Sequence, residues 1–310
     1  MKNFNHTSVL LNETIAALDI KPEGLYIDGT AGGGGHSLAI AEKLNNYGSL
    51  ICFDVDKDAI QATKSRLAKY NARFINANFS SITEHGIPAA DGVLLDLGVS
   101  SYQLDTVERG FSFQDEDAPL DMRLSRNETF SDGVSAYNVV NEYDADRLIK
   151  ILFEYGEEKF ARGIVRGIIT AREATPIKTT GQLAEIIKHN VPISVRNAKN
   201  PCRKTFQALR IEVNDELGNL SKGLDAGFKI LKPNGVFAII TFHSLEDRIV
   251  KKRFAELTSG CDCPRALPVC VCGKTPEATH ITRKPIVPSE GELNLNRRSR
   301  SAKLRVIKKR

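Results

Sequence analysis

A glycine-rich run is the first feature of this sequence whose residue types and spacing suit chemistry. Residues 28–37 read Asp-Gly-Thr-Ala-Gly-Gly-Gly-Gly-His-Ser, between an apolar segment and a segment of helical character. Glycines allow positive φ angles and close approach of a ligand, and a glycine loop before a helix binds nucleotide cofactors in doubly wound folds. Asp54 ends the next apolar segment, about 20 residues further on, where a carboxylate can accept hydrogen bonds from both ribose hydroxyls.

The spacing of the glycines bears on which cofactor would bind. A dinucleotide favours G-x-G-x-x-G, whereas this loop has Gly29 and then four consecutive glycines from Gly32. That arrangement resembles the first motif of S-adenosylmethionine enzymes, in which the loop wraps the methionine part. Asp56 could share the role of Asp54, and Phe79 could pack on an adenine ring. A glycine-rich turn beside an exposed aspartate is the alternative without a cofactor.

The elements that must position these residues alternate between strands and helices. Short apolar runs predict five buried strands, at 25–31, 49–55, 72–77, 92–97 and 236–242. Helices are predicted at 57–70 and along one apolar stripe that runs Leu209, Val213, Leu217, Leu220, Leu224. The pattern indicates an α/β fold with a doubly wound, mostly parallel sheet.

The alternation of predicted strands and helices stops in the middle of the chain, where only helical periodicity is found, for example at Phe160, Ile164 and Ile168. We therefore predict a discontinuous first domain, residues 1–105 and 205–310, interrupted by a helical insertion at 106–204. Asp96 ends the fourth predicted strand, and Ser100 and Gln103 follow it. Because open sheets bind ligands at the carboxyl ends of their strands, Asp96 is expected beside the reactive end of the cofactor.

The charge distribution suggests a polyanionic partner. The chain has 43 basic and 38 acidic residues, a net charge of +5. Residues 297–310 contain eight basic residues and no acid, and 196–204 is a second basic stretch without an acid. Nucleic acid is favoured, since phosphate contacts dominate such affinity, and a solvated tail and loop are the alternative.

The N-terminus has no signal-peptide pattern, and no apolar run is long enough to span a bilayer. We expect a cytoplasmic protein with no membrane partner and reduced cysteines. Cys261, Cys263, Cys270 and Cys272 form a C-x-C-x₆-C-x-C cluster, which is either a reduced loop or a zinc site with unusually short spacing. We assign no metal ligand from the sequence, and either state would only brace a loop.

Motifs along nearly the whole chain resemble the 16S ribosomal RNA (cytosine-N4)-methyltransferase family. They read Asp-Leu-Gly-Val-Ser-Ser from Asp96, Arg-Gly-Phe-Ser-Phe from Arg109, Pro-Leu-Asp-Met-Arg from Pro119, Tyr-Gly-Glu-Glu from Tyr155, Thr-Phe-Gln-Ala-Leu-Arg-Ile from Thr205, Phe-His-Ser-Leu-Glu-Asp-Arg from Phe242 and Arg-Ser-Arg-Ser-Ala-Lys-Leu-Arg from Arg298. Residues 6–10 resemble the opening of the family, with Ser8 in place of its proline. Two further departures are Asn200-Pro201-Cys202 for His-Pro-Ala and Asn296-Arg297-Arg298 for Asn-Pro-Arg.

The resemblance implies S-adenosyl-L-methionine as cofactor and a decoding-centre cytidine of 16S rRNA, within the small ribosomal subunit, as substrate. By position, the cofactor contacts fall on seven residues: Gly34, Gly35, His36, Asp54, Phe79, Asp96 and Gln103. The insertion is expected to help bind RNA.

The candidates for catalysis are fewer. The chain lacks the Asp/Asn-Pro-Pro-aromatic motif of many amino-methyltransferases, so Asp96 and Ser100 are the predicted catalytic residues, although Asp96 could equally serve the cofactor alone. Phe111 and Phe113 could stack on the base or lie in the core. His243 could contact RNA, although a structural role is more common for such a histidine.

Three other functions remain open at this point. A nicotinamide oxidoreductase would share the glycine loop and Asp54, but the glycine spacing argues against it. A noncatalytic RNA-binding ribosome-assembly factor would share the basic segments without needing a formed cofactor site. A methyltransferase acting on another acceptor would not need those basic segments.

Overall fold

The computed structural model describes residues 8–125, 133–198, 200–263, 269 and 271–310. Residues 6–7 of the opening motif, residue 199 of the second basic stretch and Cys270 of the cysteine cluster lie outside the described part. The chain divides into two compact units, one of Met1–Gly98 with Gly218–Arg310 and one of Val99–Leu217.

The first unit is built on a single sheet, whose strand order within the described residues is β3-β2-β1-β4-β5-β7-β6. The strands are β1 Leu25–Asp28, β2 Ser49–Phe53, β3 Ala72–Ile75, β4 Ala90–Asp96, β5 Leu231–Thr241, β6 Ala278–His280 and β7 Lys303–Lys309. The first five pair in parallel, whereas β7 runs antiparallel to β5 and β6. The carboxyl ends of the five parallel strands therefore share one edge of the sheet.

Helices cover both faces of this sheet. They are α1 Leu11–Leu18, α2 Gly35–Ala41, α3 Lys57–Arg66, a 3-10 helix Phe79–Glu84, and the later α11 Glu216–Ile230, α12 Ser244–Thr258, α13 Glu290–Leu295 and 3-10 helix Arg297–Ser301. Successive side chains of a strand point to opposite faces, so Val93 packs into one core with α11 and α12, while Leu94 packs into the other with α1 and α2. The predicted doubly wound α/β fold with a mostly parallel sheet is confirmed.

The second unit is helical in its described part. Its elements are α4 Ser101–Asp105, a 3-10 helix Val107–Arg109, α5 Ala136–Glu142, α6 Ala145–Glu154, α7 Ala161–Ala174, α8 Thr180–His189, α9 Ile193–Ala198 and α10 Arg203–Asn214. The predicted insertion, 106–204, falls inside this unit. The unit extends further in both directions, because α4 precedes residue 106 and α10 buries Phe206 and Leu209 in the helical core.

The apolar stripe from Leu209 to Leu224 does not form one helix. Asp215, in the left-handed region at φ 44°, ends α10, and α11 begins at the next residue. Leu209 packs into the helical core, whereas Leu224 packs on the sheet. The shared periodicity thus runs through two helices that serve different cores.

Among the described residues, no helix has both the length and the apolar character needed to cross a bilayer.

Candidate functional site

The glycine loop follows β1 and leads into α2, as the sequence indicates. Gly32 and Gly34 have φ angles of 52° and 76°, a region that L side chains rarely adopt. A Cβ on Gly34 would press on Thr63, whose hydroxyl donates to the Gly32 carbonyl at 2.9 Å. Among the described residues, a Cβ on Gly32 would meet only the Thr30 carbonyl oxygen, at 3.9 Å. The loop is therefore held from α3 and leaves space beside Gly32.

Asp54 lies directly after β2 and faces the loop. Its carboxylate accepts hydrogen bonds from the backbone N–H of Gly32 at 2.8 Å and of Asp56 at 2.9 Å. Burial raises the pKa of Asp54 to about 7, although both N–H donors act in the opposite direction. Asp56 caps α3 by accepting from the N–H of Asp58, so its carboxylate serves the helix.

Two residues that the sequence did not single out organise the inner part of the loop. Asp28, 1% exposed at the end of β1, accepts from the Ser37 hydroxyl at 2.6 Å and from the Thr30 N–H at 3.1 Å. The Thr30 hydroxyl in turn accepts from the N–H of Asp96 at 2.6 Å. Thr30 therefore connects the glycine loop to the end of β4, a link for which its position between Gly29 and Gly32 is the only sequence signal.

Asp96 and His36 form a pair at this edge of the sheet. His36 Nδ1 lies 3.4 Å from Asp96 Oδ2, and His36 Nε2 donates to the Val9 carbonyl at 3.1 Å. A carbonyl can only accept, so Nε2 carries hydrogen, and the carboxylate beside Nδ1 favours the doubly protonated, cationic imidazole. Burial lowers the pKa of His36, but the Asp96 carboxylate outweighs that effect and holds the pKa above its usual value.

The other carboxylate oxygen of Asp96 is Oδ1, which is buried and has no hydrogen-bond partner among the described residues. The Asp96 side chain as a whole is 23% exposed. An unsatisfied buried carboxylate oxygen costs free energy unless another group donates to it. Asp96 Oδ1 is therefore suited to receive a donor from a bound ligand or a reacting amine.

Phe79 begins the 3-10 helix after β3 and is packed on one side. A Cβ on Gly223 of α11 would lie 2.3 Å from the Phe79 ring, and a Cβ on Gly29 would lie 3.0 Å from Phe79 Cβ. Both glycines admit the phenylalanine into the core on that face of the sheet. Adenine packing would have to use the remaining partly exposed surface of the ring.

Ser100 and Gln103 belong to the helical unit, where they form a capping box at the start of α4. The Ser100 hydroxyl accepts from the Gln103 N–H, and Gln103 Oε1 accepts from the Ser100 N–H at 2.9 Å. These contacts fix both side chains locally and give each a folding role. Phe111 is only 7% exposed, and Phe113 packs edge-on against Phe206 at 5.3 Å, so core packing accounts for both.

His243 and the basic tail also have internal partners. The His243 side chain caps α12 by accepting from the Glu246 N–H, and Glu246 Oε2 accepts from the N–H groups of Phe242 and His243. The interpretation of His243 as structural is therefore favoured over RNA contact.

The tail 297–310 is not a free arm, because its second half forms β7. Lys303 and Arg305 donate to Asp247 at 2.9 and 2.7 Å, and Lys309 donates to backbone carbonyls that include that of Leu231 at 2.8 Å. At least three of the eight basic side chains therefore have partners inside the first unit. In the other basic stretch, Lys204 donates to the Glu157 carbonyl and Arg203 is exposed.

The residues of the first unit fit a nucleoside cofactor that carries an amino acid. Asp54 presents an ionisable carboxylate suited to a ribose diol, and the backbone at Gly32 leaves room for a ligand to approach closely. The unsatisfied Asp96 Oδ1 suits an ammonium or amine donor. S-adenosylmethionine carries all of the complementary groups, which are a ribose, an ammonium and a reactive methyl.

The sequence is similar to known proteins along almost its whole length. Residues 3–310 match the MraW methylase family. Ribosomal RNA small subunit methyltransferase H of Clostridium botulinum (strain Kyoto / Type A2) is 52% identical over 311 residues, which cover 99% of each chain. The protein of that name from Clostridioides difficile (strain 630) is 51% identical over 313 residues, again 99% of each chain. An rRNA methylase structure from Streptococcus thermophilus overlaps with a TM-score of 0.41 at 10% identity, covering 96% of this chain and 93% of that one. The match along the chain and the identity to these relatives show that the chain belongs to the MraW methylase family.

Proposed function

We propose that this methylase transfers the methyl group of S-adenosylmethionine to N4 of a decoding-centre cytidine in 16S rRNA, within the small ribosomal subunit. Family membership and relatives named for small-subunit ribosomal RNA support rRNA methylation. The choice of an exocyclic amine rests on one observation, the buried and unsatisfied Oδ1 of Asp96 at the carboxyl end of β4.

In this proposal, the residues around the glycine loop hold the cofactor. Asp54 accepts from the ribose hydroxyls, residues 32–35 approach the methionine part, and Phe79 packs on the adenine. His36 contributes through Asp96, whose carboxylate it orients. When bound, S-adenosylmethionine supplies an electrophilic methyl on a sulfonium, so the chain itself needs no covalent intermediate.

Asp96 is then the group that prepares the nucleophile. The N4 amine of cytosine is a poor nucleophile because its lone pair is delocalised into the ring. A carboxylate oxygen that accepts an N4–H bond favours a pyramidal nitrogen and can take the proton that the amine must lose, help worth roughly 10²–10⁴-fold in rate. The imidazole of His36, whose Nδ1 lies 3.4 Å from Asp96 Oδ2, holds this carboxylate in place before the reaction. The Ser100 hydroxyl accepts from the Gln103 N–H, and the roles of Ser100 and Gln103 at the substrate and cofactor stay predictions.

Recognition of the RNA is assigned to the helical unit. Its second basic stretch presents Arg203 on the surface, and phosphate contacts from such residues would position the RNA. The tail contributes less than its charge suggests, because Lys303, Arg305 and Lys309 are bound within the sheet domain. A substrate within ribosomal subunits would be met in the cytoplasm, which is the location that we propose.

The test is methyl transfer from labelled S-adenosylmethionine to small ribosomal subunits from a strain that lacks this gene, with nucleoside mass spectrometry of the product. We expect N4-methylated cytidine, and its loss in an Asp96→Ala variant that still binds the cofactor. A methylated nucleoside other than N4-methylcytidine would reject the proposed acceptor. Cofactor binding without transfer to subunits or free RNA would favour a different substrate.

A further inference from the structure

The cysteines in the loop between α12 and β6 are brought together by the fold. The sulfur atoms of Cys261, Cys263 and Cys272 all lie within 4.8 Å of one another, and those of Cys261 and Cys272 are 3.9 Å apart. Zinc binds thiolates at about 2.3 Å in a tetrahedron, which requires sulfur atoms about 3.8 Å apart. The three side chains are therefore close to the spacing of a thiolate metal site.

Each of the three sulfurs also accepts a backbone hydrogen bond. The Cys263 N–H donates to Cys261 Sγ at 3.3 Å, the Val271 N–H to Cys263 Sγ at 3.4 Å, and the Asp262 N–H to Cys272 Sγ at 3.5 Å. Such donors stabilise negative charge on sulfur and orient metal ligands. The hydrogen bond from the Cys263 N–H to Cys261 Sγ also explains how the sulfurs of Cys261 and Cys263 come together with only one residue between them.

The surroundings explain what such a site would do. The base of the loop is closed where the Glu277 N–H donates to the Leu257 carbonyl and Thr258 Oγ1 lies 2.9 Å from His280 Nε2. Beyond these contacts, Cys261 and Cys272 are exposed to solvent, together with Val269 and Val271. The described residues at this end of the loop bury little apolar surface, so their order needs another source.

We propose that Cys261, Cys263 and Cys272 bind a structural zinc ion that folds the outer part of this loop. The three thiols lose their protons to solvent on binding, and zinc undergoes no redox change. Soft thiolate ligands favour zinc over magnesium or calcium. Cys270 lies outside the described residues, and its substitution tests whether it supplies a fourth ligand.

The test uses the full chain purified under reducing conditions from zinc-supplemented cells, with the metal content measured by mass spectrometry. We expect about one zinc per chain, and near-background content in Cys261→Ser and Cys272→Ser. Cys202→Ala, which removes a buried thiol from the helical unit, is the matched control and retains the metal. Replacement by cobalt should give the intense visible absorption of tetrahedral thiolate coordination.

A second measurement covers variants that fail to fold. Removal of zinc from the native chain with a chelator should make residues 259–277 sensitive to protease while S-adenosylmethionine binding is unchanged. The proposal is overturned if the reduced native chain contains no metal, if Cys261→Ser keeps the full content, or if the intact mass shows a disulfide instead. None of these readouts depends on methyl transfer.

Discussion

Replacement of Asp96 by asparagine tests the pairing at the centre of the candidate site. The change keeps the shape of the side chain but removes its charge. In the native chain, Oδ2 faces His36 at 3.4 Å, and Oδ1 has no partner in the part of the chain that the structure describes. The amide oxygen can still accept one hydrogen bond. His36 would nevertheless lose the charge that keeps it protonated.

The size of the effect on stability follows from this geometry. Two unit charges 3.4 Å apart attract by about 5 kcal/mol at an effective dielectric constant of about 20. The desolvation of both groups offsets part of this energy, and a buried His36 without its partner can release its proton instead of staying charged. We therefore expect a loss of about 2–3 kcal/mol in the free energy of unfolding at about pH 6.

The stability difference between the native chain and Asp96→Asn should depend on pH in a defined direction. The folded pKa of His36 lies above its ordinary value, so the pair contributes its full stability below about pH 6.5 and loses it as the pH rises through the folded pKa. The difference between the native chain and Asp96→Asn, measured by urea unfolding, should therefore shrink towards about pH 9. A difference that is constant or grows with pH would refute the cationic His36.

The same variant separates catalysis from cofactor binding. If Asp96 accepts from the reacting amine, single-turnover methyl transfer should fall by roughly 10²–10⁴-fold while S-adenosylmethionine affinity changes little. Asp91→Asn is the matched control, because Asp91 lies at the opposite end of β4, about 16 Å away along the strand, where it pairs with Lys232. A rate equal to that of Asp91→Asn would reject the catalytic role, and a loss confined to affinity would assign Asp96 to the cofactor.

Three further predictions concern the loop and the sheet. Since burial raises the pKa of Asp54 to about 7 and the ionised form accepts ribose hydroxyls, cofactor affinity should weaken as the pH falls through about 7, and Asp54→Asn should bind weakly with a flat profile in calorimetry. Gly32→Ala and its control Gly86→Ala should each lose about 1–2 kcal/mol of stability, because both glycines have positive φ angles. Only Gly32→Ala should also lower cofactor affinity, by about tenfold or more. Equal affinities would show that the space beside Gly32 is not used. Asp247→Asn should lower the free energy of unfolding by about 1.5–3 kcal/mol at neutral pH. Burial raises the pKa of Asp247, but its two basic partners on β7 hold that pKa below the usual value, so the difference in urea unfolding should vanish in acid. A difference that persists in acid would contradict the ion pairs.

The family match bears on the alternatives left open by the sequence. The match of residues 3–310 to a methylase family confirms the predicted methyltransferase activity and does not support a nicotinamide oxidoreductase. It also disfavours a noncatalytic assembly factor, whereas the acceptor atom still depends on the proposed experiment.

Much of the sheet domain could be predicted because its signals are local. Runs such as 49–55 and 92–97 are almost continuously apolar, as is typical of strands that are buried on both faces, and β2 and β4 lie there. The four consecutive glycines marked the loop, since a positive φ is needed at Gly32 and Gly34.

Other features could not be predicted, because they depend on where distant segments meet. The sequence of 297–310 predicts a basic tail, yet β7 is held in the sheet by pairing with β5, and its charges meet Asp247. The stripe from Leu209 to Leu224 keeps one helical period, although Asp215 divides it between two cores.

The candidate site shows the same division. By itself the sequence determined the fold class, the loop and the acidic residues at the strand ends, because periodicity and glycine spacing are properties of neighbouring residues. Only the tertiary structure decided that the Val9 carbonyl and the Asp96 carboxylate lie beside the two ring nitrogens of His36. It also decided that one oxygen of Asp96 is buried without a partner among the described residues. Charge states and unsatisfied atoms depend on burial and on partners distant in sequence, which no local pattern records.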